Sequence, residues 1–163
     1  MPLARAIEHL SAAEDDLSAA FGQLSEMAGV SREMCEGAEQ LASQAEGRAA
    51  ALQSWAERFH AVEGNRPVAL WRSLGDEIPR NGGLTSDPGL ALLRDLRWVY
   101  LMSQECALGW MMVESAALSS RERQLLDLVS AGRTAVAKAV RWVETQIEQT
   151  SPKVLVGSQE TQA

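Results

Sequence analysis

Several familiar signatures are scarce or missing in this chain of 163 residues. Its two cysteines, Cys35 and Cys106, stand far apart, and neither belongs to a Cys-x-x-Cys pair. The sequence signs of a disulfide framework or a thiolate zinc site are therefore missing, and both thiols are expected to be small buried side chains. Two histidines, His9 and His60, cannot form a three-histidine site within one chain. Lys and Arg number 15 against 22 Asp and Glu, a formal net charge of −7. Nucleic acid and anionic membrane surfaces both require a dense basic face, so neither is an expected partner. No apolar run approaches the roughly 20 residues of a membrane span. The stretch from Met1 to Arg5 lacks the apolar core of a signal peptide and Glu8 follows soon after, so a cytoplasmic location is expected. No turn dipeptide lies between alternating apolar and polar runs, so no β-hairpin is expected. Nothing resembles a phosphate loop, a nucleophile elbow or a nucleophile–base pair.

What is abundant is helical periodicity. Hydrophobic residues make up 46% and charged residues 23%, an ordinary globular composition with length enough for one core. Leu3, Ile7, Leu10, Glu14, Leu17, Phe21, Leu24 and Ala28 step by four and three, which predicts a first helix over about 3–28. Gly29 supplies a C-terminal cap, and Ser31, with Glu33 behind it, opens a second helix over about 32–63. The stripe of that helix is Ala38, Leu41, Ala45, Arg48, Leu52, Trp55, Phe59 and Val62.

Residues 64–87 hold Pro67, Pro79 and Asn81-Gly82-Gly83 around a short apolar cluster from Val68 to Leu74, with at most a helical turn near Trp71. A connection this long suits a crossover along a bundle of roughly 45 Å. Asp87-Pro88 starts a third helix running to about Leu118, with stripe Leu92, Leu96, Val99, Ser103, Cys106, Trp110, Val113 and Ala117. Ser119 to Glu122 fits a capping box for a fourth helix. Its stripe reads Leu126, Val129, Arg133, Val136, Val140, Val143 and Ile147, with Pro152 as its stop. The expected architecture is all-α: one four-helix bundle over 1–156, two antiparallel hairpins joined by a long crossover, and a disordered tail over 157–163.

Glu14 is a charge in the middle of an inward stripe. Glu14 and Arg48 lie equally far from a first turn near residue 31. Ser103 and Arg133 lie equally far from a second turn near residue 118. In antiparallel pairs such residues share a height, so Glu14, Arg48, Ser103 and Arg133 are expected to form one central polar layer, with a Glu14–Arg48 contact in the core.

Two hairpins, a long crossover and a polar mid-layer resemble the ferritin-like fold. The stretch from Gly89 to Leu101, the end from Arg141 to Glu148, and the closing run Ser151 to Val156 look most like an uncharacterised group of bacterial ferritin-like proteins. The di-iron members of the fold take one glutamate from each of two helices and Glu-x-x-His from each of the other two. Glu14 matches the first glutamate. Inward pairs elsewhere are Ala45 and Arg48, and Ser130 and Arg133, while Ser103 stands where a carboxylate is required. Arginine has no lone pair to ligate iron, so no metal cofactor is expected.

A rearranged site would have to draw on Glu14, Glu57, His60 and Glu105. Glu57 and His60 form the one Glu-x-x-His, and the helical wheel turns them away from Phe59 toward solvent. The third helix is apolar nearly all round, with Trp98, Leu101, Met102, Leu108 and Met112 away from its core stripe. This second face is the expected homodimer interface. The functional expectation is a non-catalytic ferritin-like binding or scaffolding module, probed against two alternatives. One is a metal-binding oxidoreductase or storage protein with a rearranged site. The other is a binder of small anionic or apolar ligands near Trp110 and the arginines.

Overall fold

Small residues decide how closely the first two helices approach. In the computed structural model, which describes residues 2–27, 29–63 and 87–157 but not the side chains of 2 and 60–63, helix α1 spans Pro2–Ser25 and α2 spans Arg32–Glu63. Ala38, Ala45, Ala49 and Ala56 are the buried small side chains of α2. They let α1 come near enough for Ser11 Oγ to donate to the Ala49 carbonyl at 2.9 Å and Ser18 Oγ to the Ala42 carbonyl at 2.8 Å. Leu41, Trp55 and Phe59, expected on the stripe, pack half-buried at its edge.

Helix α1 ends earlier than its periodicity suggests. The Glu26 and Met27 amides bond back to Gln23 and Leu24, the tighter three-residue pattern of a closing turn, and Gly29 takes a φ of +81°. Ser31 then caps α2 by accepting the Met34 amide at 3.1 Å.

Helix α3 covers Pro88–Ser120 and α4 covers Arg123–Leu155. Asp87 caps α3 as its sequence implies, accepting the Gly89 and Leu90 amides at 2.8 and 3.1 Å. The expected α3 stripe is buried in full. The expected capping box is not formed. Ser119 remains helical and bonds back to the Ser115 carbonyl, and Glu122 makes no side-chain cap. Arg121, at a φ of 59°, makes the turn instead. Pro152 does not stop α4, which runs on to Leu155. Ser151 Oγ serves the Ile147 carbonyl, and Glu148, whose backbone partner the proline removes, is exposed to water.

The stripe of α4 is also rotated from expectation. Leu125, Val129, Gly132, Val136, Ala139 and Val143 are buried, whereas Leu126, Val140 and Ile147 are half-buried. Each hairpin is antiparallel, α1 packs on α3, and α2 meets α4 more lightly. Trp142 of α4 ties the hairpins together. Its ring meets Phe21 edge-on at 6.0 Å, and Gly37 of α2 lies so close that an added Cβ would sit 2.8 Å from it. The start of α2 and the start of α3 share one end of the bundle. Since α2 is 32 residues long, about 48 Å, its far end lies at the opposite end from the start of α3.

The result is an all-α four-helix bundle of two antiparallel hairpins. Among the described residues, no helix is long and apolar enough to cross a membrane. Expectations for Ala28, the side chains of His60 and Val62, the connection over 64–86 with its turn at Trp71, and the tail after Gly157 lie outside the described residues.

Candidate functional site: a buried carboxylate held by three donors

Midway along α1, Glu14 is fully buried. Ser11 and Ser18, flanking it in sequence, hold α1 against the backbone of α2. That places Arg48 opposite the carboxylate. Its Nε donates to Oε1 at 3.0 Å and its terminal nitrogen to Oε2 at 2.8 Å, a two-pronged pair with only 10% of the Arg48 side chain exposed. The indole N–H of Trp110, from α3, donates to Oε1 at 2.6 Å. Three N–H groups from two helices thus converge on one dry carboxylate.

The fourth helix contributes an absence of side chain. Trp110 lies flat on Gly132 of α4, where an added Cβ would fall 2.5–2.6 Å from three ring carbons. Glycine at 132 is therefore what allows the indole to reach Glu14. All four helices meet at this cluster, and no buried side-chain nitrogen or oxygen among the described residues lacks a partner. Cys106 lies one turn before Trp110. Burial pushes its thiol well above the ordinary range, and the Glu14 carboxylate adds to the effect, so the group stays protonated.

The expected layer is only partly assembled. Glu14 and Arg48 are brought together. Ser103 is buried on the α3 stripe, but its hydroxyl donates to the Val99 carbonyl of its own helix. Arg133 is not in the layer. It is on the surface, its side chain 44% exposed and paired with Glu114. The cause is the rotation of α4, which puts Gly132 rather than Arg133 on the buried stripe between Val129 and Val136, against Trp110. The chain also reverses at Arg121–Glu122 and not near 118, so Ser103 and Arg133 do not share a height. The sequence signal for this was a lone glycine inside an apolar helical stripe facing a tryptophan.

Of the residues of a rearranged metal site, the described side chains of Glu14, Glu57 and Glu105 do not gather into one ligand set. Glu57 is exposed and accepts from Gln53. Glu105 is half-buried on α3. Among the described residues, no three His, Cys, Asp or Glu side chains gather as metal ligands would. The Trp110 region expected to hold a ligand is filled by the indole itself, packed against Gly132.

The second face of α3 also needs correction. Met102 is 4% exposed and belongs to the core, and Trp98 and Leu101 are half-buried. Leu108 and Met112 are exposed as expected, joined by Leu90, Met111 and Leu118. The apolar surface is therefore richest in the C-terminal half of α3. Cys35, expected to be buried, is half-exposed and donates to Glu39. Its thiol is raised above the ordinary range, by burial first and then by Glu39 and Glu36.

Comparison with protein-family models, curated proteins and solved structures finds no match to this chain.

Proposed function

We propose that this chain is a non-catalytic, ferritin-like four-helix bundle that serves as a binding or scaffolding module, pairs with a second copy through α3, and works in the cytoplasm. The observation that carries this reading is the state of Glu14. A di-iron bundle keeps its mid-height carboxylates open toward a cation. Here both oxygens of Glu14 are taken, one by Arg48 and the other by Arg48 and Trp110 together. A guanidinium in direct contact also repels a cation electrostatically. Catalysis would further need a cavity beside the charged group, and the Trp110 ring fills that position. The exposed apolar residues of α3 support a docking role, and unpaired cysteines accord with a reducing compartment.

Metal analysis of protein purified from iron- and manganese-supplemented cultures tests the central claim. The expected result is metal far below one ion per chain, unchanged in Glu14→Gln. Stoichiometric iron or manganese that is lost in Glu14→Gln would establish the metal-binding alternative.

A further inference from the structure

At the end of the bundle where α2 and α3 begin and α4 finishes, a cavity of about 270 Å³ opens between the helices. At on the order of 30 Å³ for one water, this is room for roughly nine water-sized groups. Its floor is apolar: Met34 and Leu92 are 7% and 8% exposed. Its polar side chains are Ser31, Gln146, Gln149, Thr150 and Lys153, four neutral and one cationic. Lys153 is the one charged side chain in the lining, and no carboxylate among the described residues pairs with it. Ser31 already accepts the Met34 amide, which leaves its O–H to donate. Asp87, next to the lining residue Pro88, turns a carboxylate oxygen onto the Gly89 and Leu90 amides.

Thr150 points to a ligand independently. It is only 8% exposed and lines the same cavity. Thr134, Thr145 and Ser151 of α4 each donate to the carbonyl four residues back. The Thr150 hydroxyl has no protein partner among the described residues. Since no fully enclosed polar atom is unsatisfied, that oxygen opens into the cavity. The hydroxyl of a residue otherwise buried is thus left free to bond to whatever occupies the cavity.

We infer that this cavity binds a small carboxylate carrying a short apolar chain. The carboxylate accepts from the Lys153 ammonium and the Thr150 hydroxyl, and the chain lies on Met34 and Leu92. The site is far from Glu14 and stands whether or not the chain pairs through α3.

Titration of the full chain with hexanoate, hexylamine and hexanol, followed by amide chemical shifts, tests it. Hexanoate is expected to shift Ser31, Gly89 and Thr150 saturably, with a dissociation constant of about 1 mM. Lys153→Met and Thr150→Val should each weaken binding about tenfold, the loss of one charge-assisted hydrogen bond. Lys153 is exposed, so its variant keeps the fold, and the spectrum itself reports this for both. Absence of saturable shifts with hexanoate would overturn the proposal. So would equal shifts with hexylamine or hexanol, or hexanoate binding unchanged in both variants.

Discussion

Glu14 keeps a negative charge out of water because three N–H groups take the place of its hydration. Such a group is held by its partners more than it holds them. Removing one partner strands the other, whereas replacing all with apolar groups of similar size is often neutral. Glu14→Gln is therefore expected to destabilise the fold by about 3–5 kcal/mol, read as a drop in urea midpoint at constant slope. Glu14→Leu combined with Arg48→Met should recover most of this, leaving about 1–3 kcal/mol for the unpaired Trp110 N–H. Adding Trp110→Phe should remove that remainder, offset in part by the cavity left by the smaller ring. A Glu14→Gln loss under 1 kcal/mol, on the order of a surface substitution, would mean the cluster is wet.

The cysteines give a pH-dependent readout at the same scale. Both thiols are raised in the folded state, Cys106 the more. The native state therefore binds the thiol proton more tightly than the unfolded chain. The resulting stability is complete below the ordinary thiol value, about 8.5, and is lost as pH rises through it toward the folded value. A thiol reagent near neutral pH should modify Cys35 slowly and Cys106 only on unfolding, with stability declining on the alkaline side. Rapid native modification of both would contradict the burial of Cys106.

At the scale of the helix, Gly132 is the informative position. Alanine is normally favoured over glycine inside a helix by about 1 kcal/mol. Here the added methyl would meet the Trp110 ring, and overpacking of this kind costs about 1–3 kcal/mol. Gly132→Ala is expected to destabilise the native chain and to become neutral or stabilising in a Trp110→Leu background. A double-mutant cycle over these sites measures the coupling, and additive effects would refute the contact.

The same position shows what sequence can and cannot reveal. Glu14 was legible because one carboxylate interrupts an otherwise apolar stripe. Arg48 was legible because Gly29 and Ser31 mark the first turn closely, so equal distance from it gave the right partner. The second turn carries a misleading mark, the Ser119–Glu122 box that does not form. Ser119 and Ser120 bond within α3, and Arg121 adopts a left-handed conformation that its residue type does not advertise. Misplacing that turn by three residues set Arg133 level with Ser103, and reading the α4 stripe through Leu126, Arg133 and Val140 instead of Leu125, Gly132 and Ala139 turned Arg133 inward and hid Gly132. Trp110 was read as core, which it is. That its N–H would find the carboxylate depended on which way the ring turned, and no spacing encodes this.

For the whole molecule, the question is what covers α3. Five exposed large apolar side chains among the described residues lie on this helix, three of them in its last three turns. Surface of this kind accords with the proposed pairing, for which light scattering should return twice the 17.7 kDa chain mass. Leu108→Glu, at an exposed position, should yield a folded monomer. A wild-type chain that is monomeric at all accessible concentrations would remove the dimer from the proposal and leave the argument about Glu14 intact.

The four helices could in principle assemble with the second hairpin shifted by one turn against the first, since apolar stripes alone forgive such a slip. A shift of one turn, about 5.4 Å, would carry the indole of Trp110 past its acceptor and leave Glu14 short of a donor. The cluster thus acts as a key with a single cut. It fixes the alignment of two hairpins that would otherwise have several, and it does so from the centre, where an error at either end would be felt.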